Sequence, residues 1–203
     1  MSKIMRHVLG AAAGALLLAG SAFAQQPQTV RLTGTITGVD GPSLIVKAAD
    51  SEVKVNLAEK LLVIAQEKGS PADIKVGNYV GIGGMPLADG TVRAIQITIM
   101  TEGQRGSNEG HGPWSRQPDS TMTNATVAEQ VTGVDGPVLL VKYKDGEKKV
   151  TVPADVSVVR YIQSDMSELK PGAKIAIGSA VKKPDGTLDT ARVNVGRGGY
   201  VPQ

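Results

Sequence analysis

The chain has no cysteine among its 203 residues. That excludes disulfide staples, thiol nucleophiles and cysteine-built metal sites. Aromatic residues are scarce, with one Trp, one Phe and four Tyr. The core must therefore come from Val, Ile, Leu and Ala. Of the two histidines, His7 lies in the N-terminal leader and His111 alone remains beyond it. A serine triad would have to use His111, which sits between Gly110 and Gly112 rather than on a rigid element. No G-x-S-x-G nucleophile elbow is present either. No enzyme activity and no cofactor are expected. Beyond residue 24, no stretch approaches the roughly 18 consecutive apolar residues of a membrane-spanning helix.

What is present starts at the N-terminus. Lys3 and Arg6 precede an apolar stretch from Val8 to Ala19, and Ala22-Phe23-Ala24 stands before Gln25 as a small-x-small cleavage site. Residues 1–24 read as a signal peptide, which predicts a periplasmic mature protein. No cysteine follows the apolar stretch, so a lipoprotein anchor is not expected. The 22 basic and 19 acidic residues give a net charge of +3, and the leader contributes Lys3 and Arg6 but no acid. The remainder carries +1. A near-neutral chain has little non-specific attraction for phosphate backbones or anionic membranes.

The most informative feature is a repeat. Thr37-Gly38-Val39-Asp40-Gly41-Pro42 recurs unchanged as Thr132-Gly133-Val134-Asp135-Gly136-Pro137. Leu44-Ile45-Val46-Lys47 matches Leu139-Leu140-Val141-Lys142, and Asp89-Gly90-Thr91-Val92 matches Asp185-Gly186-Thr187-Leu188. Such self-similarity fixes the organisation before any other argument. It places a first domain over 30–100, a linker over 101–124, a second domain over 125–196 and a tail over 197–203.

Within the first domain, alternation predicts strands over Val30–Val39, Ser43–Ala48, Glu52–Leu57 and Leu61–Gln66. A helical turn is admitted at Ala58-Glu59-Lys60. Ser70-Pro71-Ala72-Asp73 has the cap, proline and acid of a one-turn helix. Tyr79–Met85 and Thr91–Met100 form a hairpin with its tip at Ala88-Asp89-Gly90. Gly81, Gly83 and Gly84 lie within a strand pattern and read as a bulge or barrel bend, not a phosphate loop. The second domain repeats the scheme. The fold class is all-β: two tandem small barrels, each of five to six strands with a short helical turn, because closure removes exposed edges. The two anchors should form equivalent turns.

The linker stretch Gly110 to Val127, with His111, Pro113-Trp114 and Ser120 to Ala125, and the ending Ala191-Arg192-Val193-Asn194-Val195-Gly196 carry a family resemblance. The chain resembles the exported tandem small-β-barrel proteins of Gram-negative bacteria, built from a domain of unknown function with an oligonucleotide/oligosaccharide-binding-like (OB-like) fold. The resemblance covers essentially everything after the leader, and it implies a fold and a compartment but no established activity. Members usually have a larger residue where this chain has Gly112. Such proteins often carry the label of metal transporter permease, which conflicts with a chain lacking multiple membrane spans.

Several residues are candidates for function. His111 with Glu109 and Asp119 is a candidate metal site, although one histidine without cysteine falls short of a zinc set. An exposed linker histidine is the simpler reading. Trp114, His111 and Pro113 are candidate partner or ligand contacts, with Trp114 expected to dock on a barrel while Gly103 to Asn108 stays mobile. Nucleic acid is disfavoured: the first domain balances seven bases against seven acids and offers almost no stacking aromatics. The expected function is a non-catalytic periplasmic binding or envelope accessory protein, its ligand or partner protein open. The alternative is a periplasmic metal-binding protein using the linker histidine and acids. The groove between the barrels is the expected interaction surface.

Overall fold

The computed structural model describes residues 28–134 and 136–202. The leader and Asp135 lie outside the described residues. The described chain is all-β. Its strands are β1 (Thr29–Asp40), β2 (Ser43–Lys47), β3 (Glu52–Gly69), β4 (Tyr79–Pro86), β5 (Val92–Ile99) and β6 (Gly110–Pro113). They continue as β7 (Thr121–Gly133), β8 (Gly136–Tyr143), β9 (Gly146–Thr151), β10 (Ser157–Ser164), β11 (Lys174–Lys182) and β12 (Leu188–Gly196). No helix of the described residues is long and apolar enough to cross a membrane.

The strands close into two five-stranded rings. One runs β1-β2-β3-β12-β11 and returns to β1. The other runs β4-β7-β8-β9-β5 and returns to β4. Small barrels of five strands are thus present, but neither is built from one contiguous segment. The expected barrels over 30–100 and 125–196 are corrected by this pairing. The N-terminal strands of each repeat close with the C-terminal strands of the other. The cores show the same exchange. One joins Ile36, Leu44, Val46 and Val63 to Ile175, Ile177, Val193 and Val195. The other joins Val80, Ile82 and Ile97 to Val127, Leu139, Val141 and Val150. Two 3-10 turns, Pro71–Asp73 and Met166–Glu168, are each followed by a buried residue that joins a core: Ile74 that of the second barrel and Leu169 that of the first. Exchange is physically inexpensive here because matched elements of the two repeats swap places and present similar apolar faces.

The two barrels meet along one strand pair. The C-terminal half of β3 runs antiparallel to β10, from Val63↔Ser164 to Gly69↔Val158. These strands carry the matched segments Leu61–Gln66 and Val156–Tyr161. In this register Gln66 sits opposite its own counterpart, Tyr161. An approximate two-fold axis therefore passes through that pair. The closing seams obey it too: β12 runs parallel to β3 through Val193↔Val63, and β5 runs parallel to β10 through Ile97↔Val158.

Local signals mostly hold. Pro71–Asp73 forms a 3-10 turn, with the Asp73 carboxylate accepting from the Ser70 backbone N–H at 2.7 Å and the Ser70 hydroxyl at 3.0 Å. A register shift between Gly83 and Gly84 is the bulge expected of that glycine run. Three expectations are corrected. Ala58-Glu59-Lys60 forms no helical turn, since β3 passes through it unbroken. The linker 101–124 holds structure of its own: a 3-10 turn at Glu102–Gln104, strand β6, and the start of β7. The identical anchors do not turn alike. Asp40 pairs with Ser43, leaving Gly41-Pro42 at the tip, whereas Gly133 pairs with Gly136 and Thr132 with Pro137. Hairpin register follows the paired strands, not the six residues alone.

Candidate ligand-binding site

A cavity of about 280 Å³ opens between the barrels, beside the two-fold axis. Gln66 of β3 and Tyr161 of β10 both border it. So do Gln96 of β5 and Arg192 of β12, which occupy matched positions one residue before Ile97 and Val193. The backbone is two-fold at this point while the side chains are not. Gln66 faces Tyr161, and Gln96 answers to Arg192, so the site offers different chemistry on its two sides.

Strand β4 reaches the cavity at Gly81. A β-carbon on Gly83 would lie 2.5 Å from Cζ3 and 2.6 Å from Cη2 of Trp114, so the indole rests on bare backbone. A β-carbon on Gly81 would lie 2.7 Å from Cε of Met100 and 2.9 Å from Oδ1 of Asn124. These two glycines do more than bend the barrel; they make room for the wall. Trp114 is held by its backbone N–H donating to the Ser120 carbonyl at 2.9 Å, and Asn124 donates its side-chain amide to the Asn108 carbonyl at 2.9 Å. The expected docking of Trp114 on a barrel is what the chain shows. Gly103 to Asn108 is tied down rather than loose. The Tyr79 hydroxyl donates to the Ser107 carbonyl at 2.9 Å, and Arg105 donates to the Gly77 carbonyl at 2.9 Å.

The lining is rich in amides and poor in charge of one sign. Among the described residues that line it, five side chains are amides, two are arginines (Arg116 and Arg192), and none is a carboxylate. Gln66 is only 2% exposed, and its Nε2 has no hydrogen-bond partner among the described residues. A buried donor without an acceptor costs about 1–3 kcal/mol. An acceptor delivered into the cavity would recover that cost. Burial pushes the Tyr161 phenol up, opposed by Arg192 and Arg116, and burial likewise pushes Tyr200 up. Both remain neutral hydroxyls at ordinary pH.

The sequence candidates divide between this cavity and a neighbouring one. Trp114 belongs to the first. His111, Pro113 and Glu109 border a second, more open hollow with Tyr143, Asp145 and Lys148. His111 stacks on Tyr143, ring centroids 6.4 Å apart, and its Nδ1 shares a 2.8 Å hydrogen bond with the buried Thr123 hydroxyl. Although the ring is exposed at one edge, desolvation by its neighbours lowers its pKa, and the Lys148 cation lowers it further. Asp119 does not border this hollow; it sits at φ 58° in the turn before Ser120. Among the described residues no three His, Cys, Asp or Glu side chains gather as a metal set. His111 and Glu109 thus share the hollow while Asp119 stands apart, and the Lys148 cation near His111 opposes a second cation there.

Gln66, Gln96, Tyr161 and Arg192 were missed by sequence reasoning. Each looks like an ordinary strand residue. The signal that finds them is the pairing register, which sets matched positions of the two repeats face to face. Comparison of the chain with protein-family models, curated proteins and solved structures finds no match.

Proposed function

We propose that this chain is an exported, non-catalytic binding module that takes a small polar ligand in the cavity between its barrels. Export rests on the leader pattern of Lys3, Arg6 and Ala22-Phe23-Ala24. The sequence repeat and the resemblance to the OB-like exported family support descent from a duplicated small-barrel unit. The single observation that carries the binding reading is Gln66: a buried donor without a partner among the described residues, on the wall of a 280 Å³ cavity, at the two-fold axis. Buried polar groups are nearly always paired, and the exceptions call for an explanation. A ligand acceptor supplies one here. The surrounding amides and arginines offer donors and fixed orientation, the usual equipment of a recognition site.

Trp114 is the single tryptophan of the chain and stands in the cavity wall, so it reports on the site directly. A low-mass fraction of periplasmic extract, added to the purified protein from Gln25 onward, should change Trp114 emission saturably. The change should vanish in Gln66→Leu and return to baseline on dialysis. An emission spectrum indifferent to the fraction, or a response unaltered in Gln66→Leu, would overturn the reading.

A further inference from the structure

The orientation of two side chains narrows the ligand class, on the reading that the cavity is a binding site. We infer that the ligand carries a secondary amide, an acylamino group whose carbonyl accepts from Gln66 and whose N–H donates to Asn124. Both side chains line the cavity. Gln66 is buried and its Nε2 has no partner among the described residues, so it calls for an acceptor. Asn124 calls for a donor. Its Nδ2 donates to the Asn108 carbonyl at 2.9 Å, which fixes Oδ1 on the side of Gly81, 2.9 Å from where a β-carbon there would stand. A planar trans amide presents one acceptor and one donor on opposite edges. Gln66 comes from β3 and Asn124 from β7, strands of different barrels, so an amide lodged between the barrels can pair with each.

The rest of the lining agrees. Met100 Cε and Met122 Sδ lie 2.7 and 3.8 Å from the same β-carbon position on Gly81, and the Trp114 indole rests on Gly83, on the same face of β4. Thioethers and an indole give apolar contact to an acyl chain, which a hydroxyl in its place would forgo. Among the described residues the lining holds no carboxylate, so an ammonium group has no counter-ion there and meets the Arg192 cation instead. A carboxylate or phosphate supplies acceptors alone and sets a negative oxygen against Asn124 Oδ1. An N-acetylated amino sugar and a short peptide both carry the required amide, and the test has an arm for each. No covalent step is involved.

The test uses the protein from Gln25 onward, with Trp114 emission and titration calorimetry as readouts. N-acetylglucosamine is set against glucose and glucosamine. Acetyl-alanine methylamide is set against its ester analogue, in which an oxygen replaces the acetylated N–H. The expected result is saturable binding of one amide probe, about tenfold or more tighter than its analogues, the difference that one unpaired buried group makes. Which probe binds assigns the source. Gln66→Leu should abolish the binding, whereas Asn124→Ala should weaken it and erase the preference for amide over analogue. Analogues binding as tightly as the amides, no saturation by either amide probe, or a preference unaltered in Asn124→Ala would overturn the inference. If the extract fraction moves Trp114 while the amide probes do not, the ligand class falls and the binding site stands. If neither moves it, both fall.

Discussion

The two barrels share one plan and differ along their closing seams. In the first, β3 is a single 18-residue strand, and β12 pairs with it at eight positions. In the second, the matching stretch is split into β9 and β10 by Val152-Pro153-Ala154-Asp155-Val156, and β5 pairs with β9 at two positions and β10 at four. Proline lacks the N–H that a ladder needs, so Pro153 ends β9 where β3 runs on. Among the described residues the second barrel also carries what the first does not: β6, paired with β7, and the arch to Trp114, whose indole lies over Gly83 of β4. A repeat that kept its core while altering one seam and one face shows where stability was required and where the chain was at liberty to diverge. The divergent face is the one that holds the cavity.

Core truncation gives the largest expected contrast. Ile97 and Val193 are matched, fully buried and central to the two seams. Ile97→Ala should cost about 2–4 kcal/mol in chemical denaturation, the usual range for emptying such a site. Val193→Ala should cost less, since it removes one methylene fewer, worth about 0.8 kcal/mol. Equal losses would mean that the seams are not equivalent in packing.

Glycine substitution sharpens the same comparison. Gly83 and Gly178 are matched, but only Gly83 has an indole over it; a β-carbon on Gly178 meets nothing within 4 Å. Gly83→Ala should destabilise by about 1–3 kcal/mol through overpacking and shift Trp114 emission to the red. Gly178→Ala should stay within about 0.5 kcal/mol of the parent. A silent Gly83→Ala would place Trp114 elsewhere.

Hydrogen exchange then separates the seams. Short ladders open locally at lower free energy than long ones. Amides of β5 and β9 facing one another should exchange faster than those of β3 and β12. The reverse order would contradict the role given to Pro153.

The smallest effect concerns pH, where the barrels should agree. Asp89 accepts from the Thr91 hydroxyl and backbone N–H, and Asp185 does the same for Thr187. These bonds hold both carboxyls below the ordinary aspartate value of 3.8. A depressed folded pKa contributes stability that is present above the unfolded value and lost as pH falls through the folded one. His111, with its pKa lowered by desolvation and Lys148, adds loss of the same sign beginning below its ordinary 6.5. Melting temperature should fall slightly from pH 7 to 5 and more steeply below 4. Asp89→Ala and Asp185→Ala should flatten the acid limb alike.

Much of this was legible in the sequence. Alternation of Val53, Val55 and Leu57, the Ser70-Pro71-Ala72-Asp73 cap and the Asp-Gly-Thr hairpin tips state local structure through local chemistry, and the strands follow them. The docking of Trp114 was also legible, because an indole beside proline in a polar stretch is costly to leave in water. The exchange of strands was not. β1 presents the same Leu32 and Ile36 to β11 as it would to β4, since the repeats offer nearly identical apolar faces and periodicity cannot tell them apart. The cavity was hidden for the same reason. Gln66 and Tyr161 meet only through a register set by two strands nearly a hundred positions apart, and Gly83 shows its purpose only with Trp114 above it.

The exchange is the claim on which the cavity depends, and the cysteine-free chain allows a direct measurement of it. Thr35 of β1 and Lys174 of β11 are Cα partners, and paired antiparallel positions lie about 4.5–5.5 Å apart, within disulfide reach. The double variant Thr35→Cys/Lys174→Cys, oxidised at low protein concentration, should form an intramolecular disulfide in the monomer, seen as faster migration without reductant and a melting temperature that rises. Thiols that stay reduced in the folded monomer, or that join only into covalent dimers, would contradict the account: the first would return each barrel to its own repeat, and the second would move the exchange between two chains.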